Sequence, residues 1–405
     1  MSGELALQVW LALACGTNTG TPAALLEALG DVVSIYAAEE EELEEAGVTN
    51  RKVLTALCNK DLNEANAVVK WCEDYNVGIL TLSDKNYPER LRSIKNPPAV
   101  LYYIGRLPDF DSRLCVATVG TRRISEYGRI NAYKISYDLT KAGTVIVSGL
   151  ADGIDSVCHR AALDALGSTV AVLGCGIDNV YPKHNRDLMK EIARKGTLIT
   201  EYPPGTKPIG YNFPARNRII SGLSQATVVF EADRKSGALI TAKFAADAGR
   251  AVYALPGEVG ELNSLGTNDL IRSGAKILVE ADDLLSDFEP ITKTRNTYVP
   301  ALPISDKVKQ KSALKRNSFP TEVKPEKTKV PNRKASPSKQ ESETDENGLS
   351  SVEQSIYSIL RKATPKTFDD FIALGHTVPE ITAALTMLEI KGMIISMPGG
   401  TYTRS

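Results

Sequence analysis

Much of what this chain of 405 residues can be is bounded by what it lacks. Its six cysteines (Cys15, Cys58, Cys72, Cys115, Cys158, Cys175) are scattered, with no CxxC pair, and three histidines (His159, His184, His376) do not complete a structural zinc set. Buried free thiols in a reducing, cytoplasmic setting are expected, with no metal. No run reaches the roughly 18 apolar residues of a membrane span, and the N-terminus has no charged segment leading into an apolar one. A net charge of -1 excludes a global basic field, so a nucleic-acid partner would need a local patch. GxGxxG, Walker A, GxSxG and HExxH are missing, and no cofactor is expected.

What is there falls into four parts. Residues 1–75 read as helices, with apolar residues at helical spacing in "ELALQVWLALAC" and "TPAALLEALGDVVSIYAA" around the turn "GTNTG". Thr21 before Pro22 suits an N-cap. This is a helical domain of the helix-hairpin-helix or SAM-like kind. Six glutamates between residues 39 and 45 would repel DNA phosphates, so a structural or protein-contact role is preferred there.

Residues 76–290 form the main domain, entered through Pro97-Pro98 and an apolar strand. From residue 115 to about 287, seven short runs ("CVATVG", "TVIVSG", "TVAVLG", "TLITEY", "ATVVFEA", "AVYALPG", "KILVEA") alternate with helical stretches. Strands without polar alternation are buried on both faces, which predicts an α/β, Rossmann-like, doubly wound and mostly parallel sheet. Ligands then sit at the C-terminal strand ends.

Residues 291–348 read as a basic, disordered linker, since 13 Lys and Arg stand against 3 Asp and Glu between 291 and 340. Residues 349–405 spell three helices and two strands around Gly399-Gly400, a winged helix. Its third helix carries Glu380 and Glu389 against one Lys391, which favours protein contact over groove reading.

The strand ends hold the chemistry. After the first, Gly120, Thr121, Arg122 and Arg123 lead to Ser125, which opens a helix whose free N–H groups suit an anion. Adjacent arginines strengthen a phosphate site, because guanidinium binds phosphate bidentately. After the second, Gly149 and Gly153 let the backbone approach a ligand and Asp155 can cap the next helix; His159 is read as structural. Further on, Lys207, Arg216 and Arg218 lie near Tyr211 and Phe213 in sequence, cations interleaved with rings as single-stranded nucleic acid requires. Ser236 and Gly237 offer a second anion site. Glu201 and Glu231, both at strand ends, could form a catalytic carboxylate pair, although capping roles serve them as well.

In order, "VGTRRISEYG", "SGLADGID", "VLGCGIDNVYPKHN", "ITEYPPGTKPIGYNFPARNRIISGLS", "SGALITA", "ALPG" and "GTNDLIRSGA" closely resemble the signatures of the DNA-processing protein A family (DprA, also called Smf). The resemblance covers residues 80–290 strongly and the flanking domains more loosely. It implies a cytoplasmic protein that binds single-stranded DNA, protects incoming DNA in natural transformation, and loads the RecA recombinase. It also implies a homodimer through the Rossmann-like domain and no enzymatic activity. Carried over by motif, Arg122 is the DNA-contacting arginine, Phe213 with Arg216, Asn217 and Arg218 lines the groove, and Ser236-Gly237 is a loop on the same face. Two departures stand out: Thr121 replaces a common serine, and Asp152 puts a carboxylate where arginine is frequent. The alternative is a nucleoside monophosphate phosphoribohydrolase of similar architecture, but its PGGxGTxxE loop is missing.

Overall fold

The computed structural model describes residues 2–288 and, within 351–404, residues 351–361, 366–367, 370–371, 384–385, 393–397 and 401–404 with the single residues 374, 376, 381 and 388. The linker read at 291–348 lies outside the described residues, as do Glu380, Glu389, Lys391, Gly399 and Gly400. Two compact units divide the chain, Met1–Ile304 and Ser305–Ser405.

The first unit begins with six helices: α1 (Ser2–Cys15), α2 (Thr21–Leu29), α3 (Val32–Ala37), α4 (Glu40–Glu45), α5 (Arg51–Cys58) and α6 (Asn63–Asp74). Their apolar faces share a core around Val9, Leu11, Leu25, Ile35, Leu43 and Leu57. Side chains satisfy several orphan N–H groups: Asp31 accepts from Ser34 N at 2.8 Å and Asn50 from Lys52 N at 3.0 Å. Thr21 is not a cap as the sequence suggested; Gly20 is, while the Thr19 hydroxyl accepts the Thr21 N–H at 3.2 Å. The glutamate run builds α4, with a capping box between Glu39 and Glu42 and two further acids, Glu40 and Glu41, in the first turn, where the helix dipole favours them.

The sheet follows: β1 (Gly78–Thr81), β2 (Val100–Gly105), β3 (Cys115–Val119), β4 (Val145–Ser148), β5 (Thr169–Val172), β6 (Thr197–Thr200), β7 (Ala226–Val229), β8 (Ala251–Ala254) and β9 (Lys276–Ile277). Its spatial order is β1-β2-β6-β5-β4-β3-β7-β8-β9. The seven predicted runs are β3 to β9, mutually parallel; β1 and β2 add an antiparallel edge against β6. Alternate residues of one strand feed different cores. Cys115, Ala117 and Val119 enter one with Val147 and Ile199, whereas Val116 enters another with Ile146, Val228 and Tyr253. Burial on both faces explains why the strands read as unbroken apolar runs.

The helices of this part are α7 (Glu89–Arg92), α8 (Glu126–Lys141), α9 (Ile154–Asp164), α10 (Arg186–Lys195), α11 (Asn212–Gly222), α12 (Ala238–Asp247), α13 (Leu262–Arg272) and α14 (Asp282–Leu285). All six cysteines are free, and all but Cys58 are buried. Among the described residues no helix is long and apolar enough to cross a membrane. In the second unit, α15 (Ser351–Ile359) accompanies β10 (Lys366–Thr367), β11 (Ile394–Met397) and β12 (Thr401–Arg404) in a three-stranded sheet over a core that includes Ile356, Phe371 and Leu388.

Candidate nucleic-acid interface

The parallel sheet winds outward in both directions from β3, with β4 on one side and β7 on the other. At that switch point the loops leaving β3 and β7 diverge and open a crevice at the C-terminal strand ends. Here the crevice is a groove of about 370 Å³ between residues 120–122, residues 233–238 and the first turns of α11. Gly120, Thr121, Arg122, Phe213, Arg216, Asn217, Ser236 and Gly237 all line it, together with Lys235. A narrower recess adjoins it, bounded by Arg122, Gly149, Asp152, Tyr181, Phe213 and Arg216.

A row of rings and cation crosses this face. The Arg122 guanidinium lies 5.9 Å from the Phe213 ring centroid, and the Tyr181 ring lies against Phe213 at 5.1 Å, tilted by 35°. Arg122 is exposed and bonds to no acceptor among the described residues, and the same holds for Lys235 across the groove. A cation held over a ring face without an acceptor of its own, as Arg122 is, presents both parts of a single-strand contact, charge for phosphate and π-surface for bases.

Beneath the row lies a buried polar frame. Arg216 donates to the carbonyls of Gly149 (2.7 Å) and Val172, and its Nε to Asn217 Oδ1 at 3.2 Å. Burial holds Arg216 below the usual arginine range, opposed by the nearby Asp155 carboxylate. Asp155 does not cap its own helix as expected. It turns back to accept the N–H groups of Gly149 (3.1 Å) and Ala151 (3.4 Å), and burial raises its pKa. His159 is structural: it accepts from Leu150 N at 3.3 Å, meets Thr169 Oγ1 at 2.7 Å, and burial pushes its pKa down to about 3.

A family model described as DNA recombination-mediator protein A matches residues 78–289. The chain belongs to this family. A second family model, the DprA winged helix domain, matches residues 340–400, which assigns the fold of the C-terminal part. Protein Smf of Synechocystis sp. is 38% identical over 333 residues, 81% of this chain and 80% of the relative. The DNA processing protein DprA of Bacillus subtilis is 39% identical over 214 residues, 53% of this chain and 72% of the relative. Among solved structures, DNA processing protein A from Streptococcus pneumoniae aligns with a TM-score of 0.61 at 34% identity, covering 69% of this chain and 95% of that one.

Within this DprA/Smf chain, several residues singled out from sequence do other work. Arg218 is buried with Glu201 in a bidentate pair at 2.7 and 2.5 Å, and its Nε donates to Asn96 O at 2.9 Å, so it does not face the groove. The turn at residues 16–20 docks on the same pair, through Asn18 N to Glu201 Oε2 at 3.5 Å and Asn96 Nδ2 to Asn18 O at 3.1 Å. Glu231 accepts from Ser125 N at 3.0 Å and from the Ser125 hydroxyl. The N-terminus of α8 therefore holds an anion as expected, but the anion is the protein's own carboxylate. Glu201 and Glu231 are not a pair, since four strand spacings, roughly 19 Å, separate β6 from β7.

The glycines also serve another purpose than expected. A Cβ on Gly149 would lie 2.5 Å from an Arg216 guanidinium nitrogen. Gly153, at φ +74°, abuts the Thr121-Arg122 backbone, and Gly120 abuts Ile154 and the Glu231 carbonyl. They let loops pack on one another rather than on a ligand. Arg123 and Lys207 are exposed but line neither the groove nor the recess. Two groove features escaped the sequence reading. Tyr181 sits in the "VYPKHN" segment already quoted for the family resemblance, and Lys235 follows a strand end. A third, the contact of Asp152 with His184, joins residues 32 positions apart and left no local trace.

Proposed function

We propose that the chain binds single-stranded DNA along the groove between the β3 and β7 strand ends, without breaking a bond in it. The observation that carries this reading is the Arg122–Phe213–Tyr181 row with Lys235 opposite: exposed cations and adjacent rings over a groove that lacks a dinucleotide fingerprint. Arg122 and Lys235 take phosphates; Phe213 and Tyr181 take bases. Arg216, Asn217 and Asp155 keep the floor fixed, and the Gly237 N–H at the start of α12 is offered from the far wall, the Ser236 N–H being held by the Asp233 carbonyl at 2.9 Å.

With its family as the support, the finer reading is that the protein protects incoming DNA and loads the RecA recombinase onto it in natural transformation and homologous recombination. It does so as a cytoplasmic homodimer through the sheet domain. The phosphoribohydrolase alternative has no observation in its favour, because both candidate carboxylates are committed to Arg218 and Ser125.

Oligonucleotide binding across a salt series tests the core of the proposal. Mixed-sequence single strands should bind more tightly than duplex, with a steep salt dependence. Equal affinity for duplex, or release of free base from nucleoside monophosphates, would overturn it. Assembly of recombinase on a strand already covered by a single-strand-binding protein tests the loading step.

A further inference from the structure

Asp152 is the one carboxylate in the recess beside Arg122, and a groove that holds phosphates should not tolerate it bare. Its Oδ1 meets His184 Nε2, the second residue after Pro182 in the segment whose Tyr181 ends the aromatic row. Both partners are open to water, at 67% of the His184 side chain and 40% of Asp152. The contact thus sits at the rim of the recess that Tyr181 and Phe213 also line.

We propose that Asp152 and His184 form a proton-controlled contact of the DNA groove, a reading that rests on the binding function above. With His184 protonated, the pair is neutral as a unit and the imidazolium adds a donor to the rim. With His184 neutral, the Asp152 charge is left uncompensated next to the strand. Phosphodiesters, arginines and lysines keep their charge across neutral pH, so histidine is the group able to change the rim there.

The other charged groups around the pair do not take this part. Arg122 and Arg216 face it from the β3 loop and α11 and stay charged. Lys183 and Arg186 flank His184 on its own segment, and Arg160 on α9 is held by Glu191 on α10 at 2.5 Å. Asp233 and Lys235 lie across the groove. Cys175 lines the recess, but burial pushes its thiol up to about 11. His159 is neutral well below the range concerned. Asp155, whose pKa burial raises, is the competing titratable group, but it is enclosed by the Gly149 and Ala151 N–H groups and by Arg216.

The experiment measures binding of the full chain to an oligothymidine of about 20 nucleotides at fixed ionic strength, at about pH 6 and about pH 8. The wild type should bind about two- to fivefold tighter at the lower pH, the range expected of an exposed ion pair. His184→Gln should lose the difference and bind at the weaker level throughout. Asp152→Asn should bind more tightly than the wild type at the higher pH and keep a pH difference, because His184 still gains its charge. By linkage, DNA binding near neutral pH should take up protons in the wild type and not in His184→Gln, seen as a buffer-dependent heat. A pH difference that survives in His184→Gln overturns the inference and passes the role to Asp155. An absence of binding by the wild type at either pH instead overturns the groove reading itself.

Discussion

The loop after β3 and the helix after β6 each carry two arginines, and the fold uses them in opposite ways. Arg122 and Arg123 end in solvent, Arg122 over a ring and without an acceptor among the described residues. Arg216 and Arg218 are drawn inside, one bonded to carbonyls of β-strand loops and the other to Glu201. The histidines divide likewise, His159 buried against Thr169 and His184 at the rim. Cationic residue types in the family's motifs are therefore two populations: an inner one that sets the shape of the groove and an outer one, open to solvent, that we propose meets the DNA. The inner set should govern stability and the outer set DNA affinity.

The largest expected effect breaks the inner set. Arg218→Ala leaves the Glu201 carboxylate buried at 3% exposure without its partner, and removing one member of a buried pair costs about 3–5 kcal/mol. Urea denaturation should show that loss. A variant that unfolds like the wild type but binds DNA weakly would place Arg218 in the outer set and undo the division.

His159 sharpens the same side through pH. Its folded pKa of about 3 lies below the roughly 6.5 of an unfolded histidine, so the unfolded chain binds more protons between those values. Its contribution to stability is complete above about pH 6.5 and is lost as pH falls toward 3. Denaturation midpoints measured down that range should decline, and His159→Gln should flatten part of the decline.

Next comes the outer set. Arg122→Ala and Phe213→Ala should each weaken single-strand binding by about 1–3 kcal/mol with little change in unfolding. Their signatures differ: loss of Arg122 removes a phosphate contact and should lower the salt slope by about 1, whereas loss of the Phe213 ring should leave the slope alone. Parallel fluorescence titrations across a salt series separate the two.

The sequence made the architecture legible because seven unalternated apolar runs admit one kind of sheet, and β3 to β9 follow them closely. It also located the groove, because β-strand ends rich in Gly, Ser and Arg are where such sheets bind ligands. Pairing across the chain was not legible. Nothing local says that Glu231 reaches back 106 positions to Ser125, or that Glu201 and Arg218 find each other inside the fold. An isolated arginine reads the same whether a carboxylate awaits it or not. The β1–β2 edge was legible only in part, since β2 followed a Pro-Pro signal while no expectation was formed for β1.

The smallest effect falls on Lys207, and it tests whether exposure alone makes a contact. Like Arg122 it is solvent-facing, but it was chosen for standing near rings in sequence and Arg122 for its place at a strand end. Unlike Arg122 it lines neither the groove nor the recess, and no ring lies beneath it among the described residues. An exposed charge away from the strand acts only through solvent, screened over about 8–10 Å at ordinary salt. Lys207→Ala should thus change single-strand affinity by less than about twofold, and raising the salt should erase even that. A tenfold loss, measured beside Arg122→Ala in the same titration, would mean that the strand runs past the β6–α11 loop and that the groove is longer than its walls.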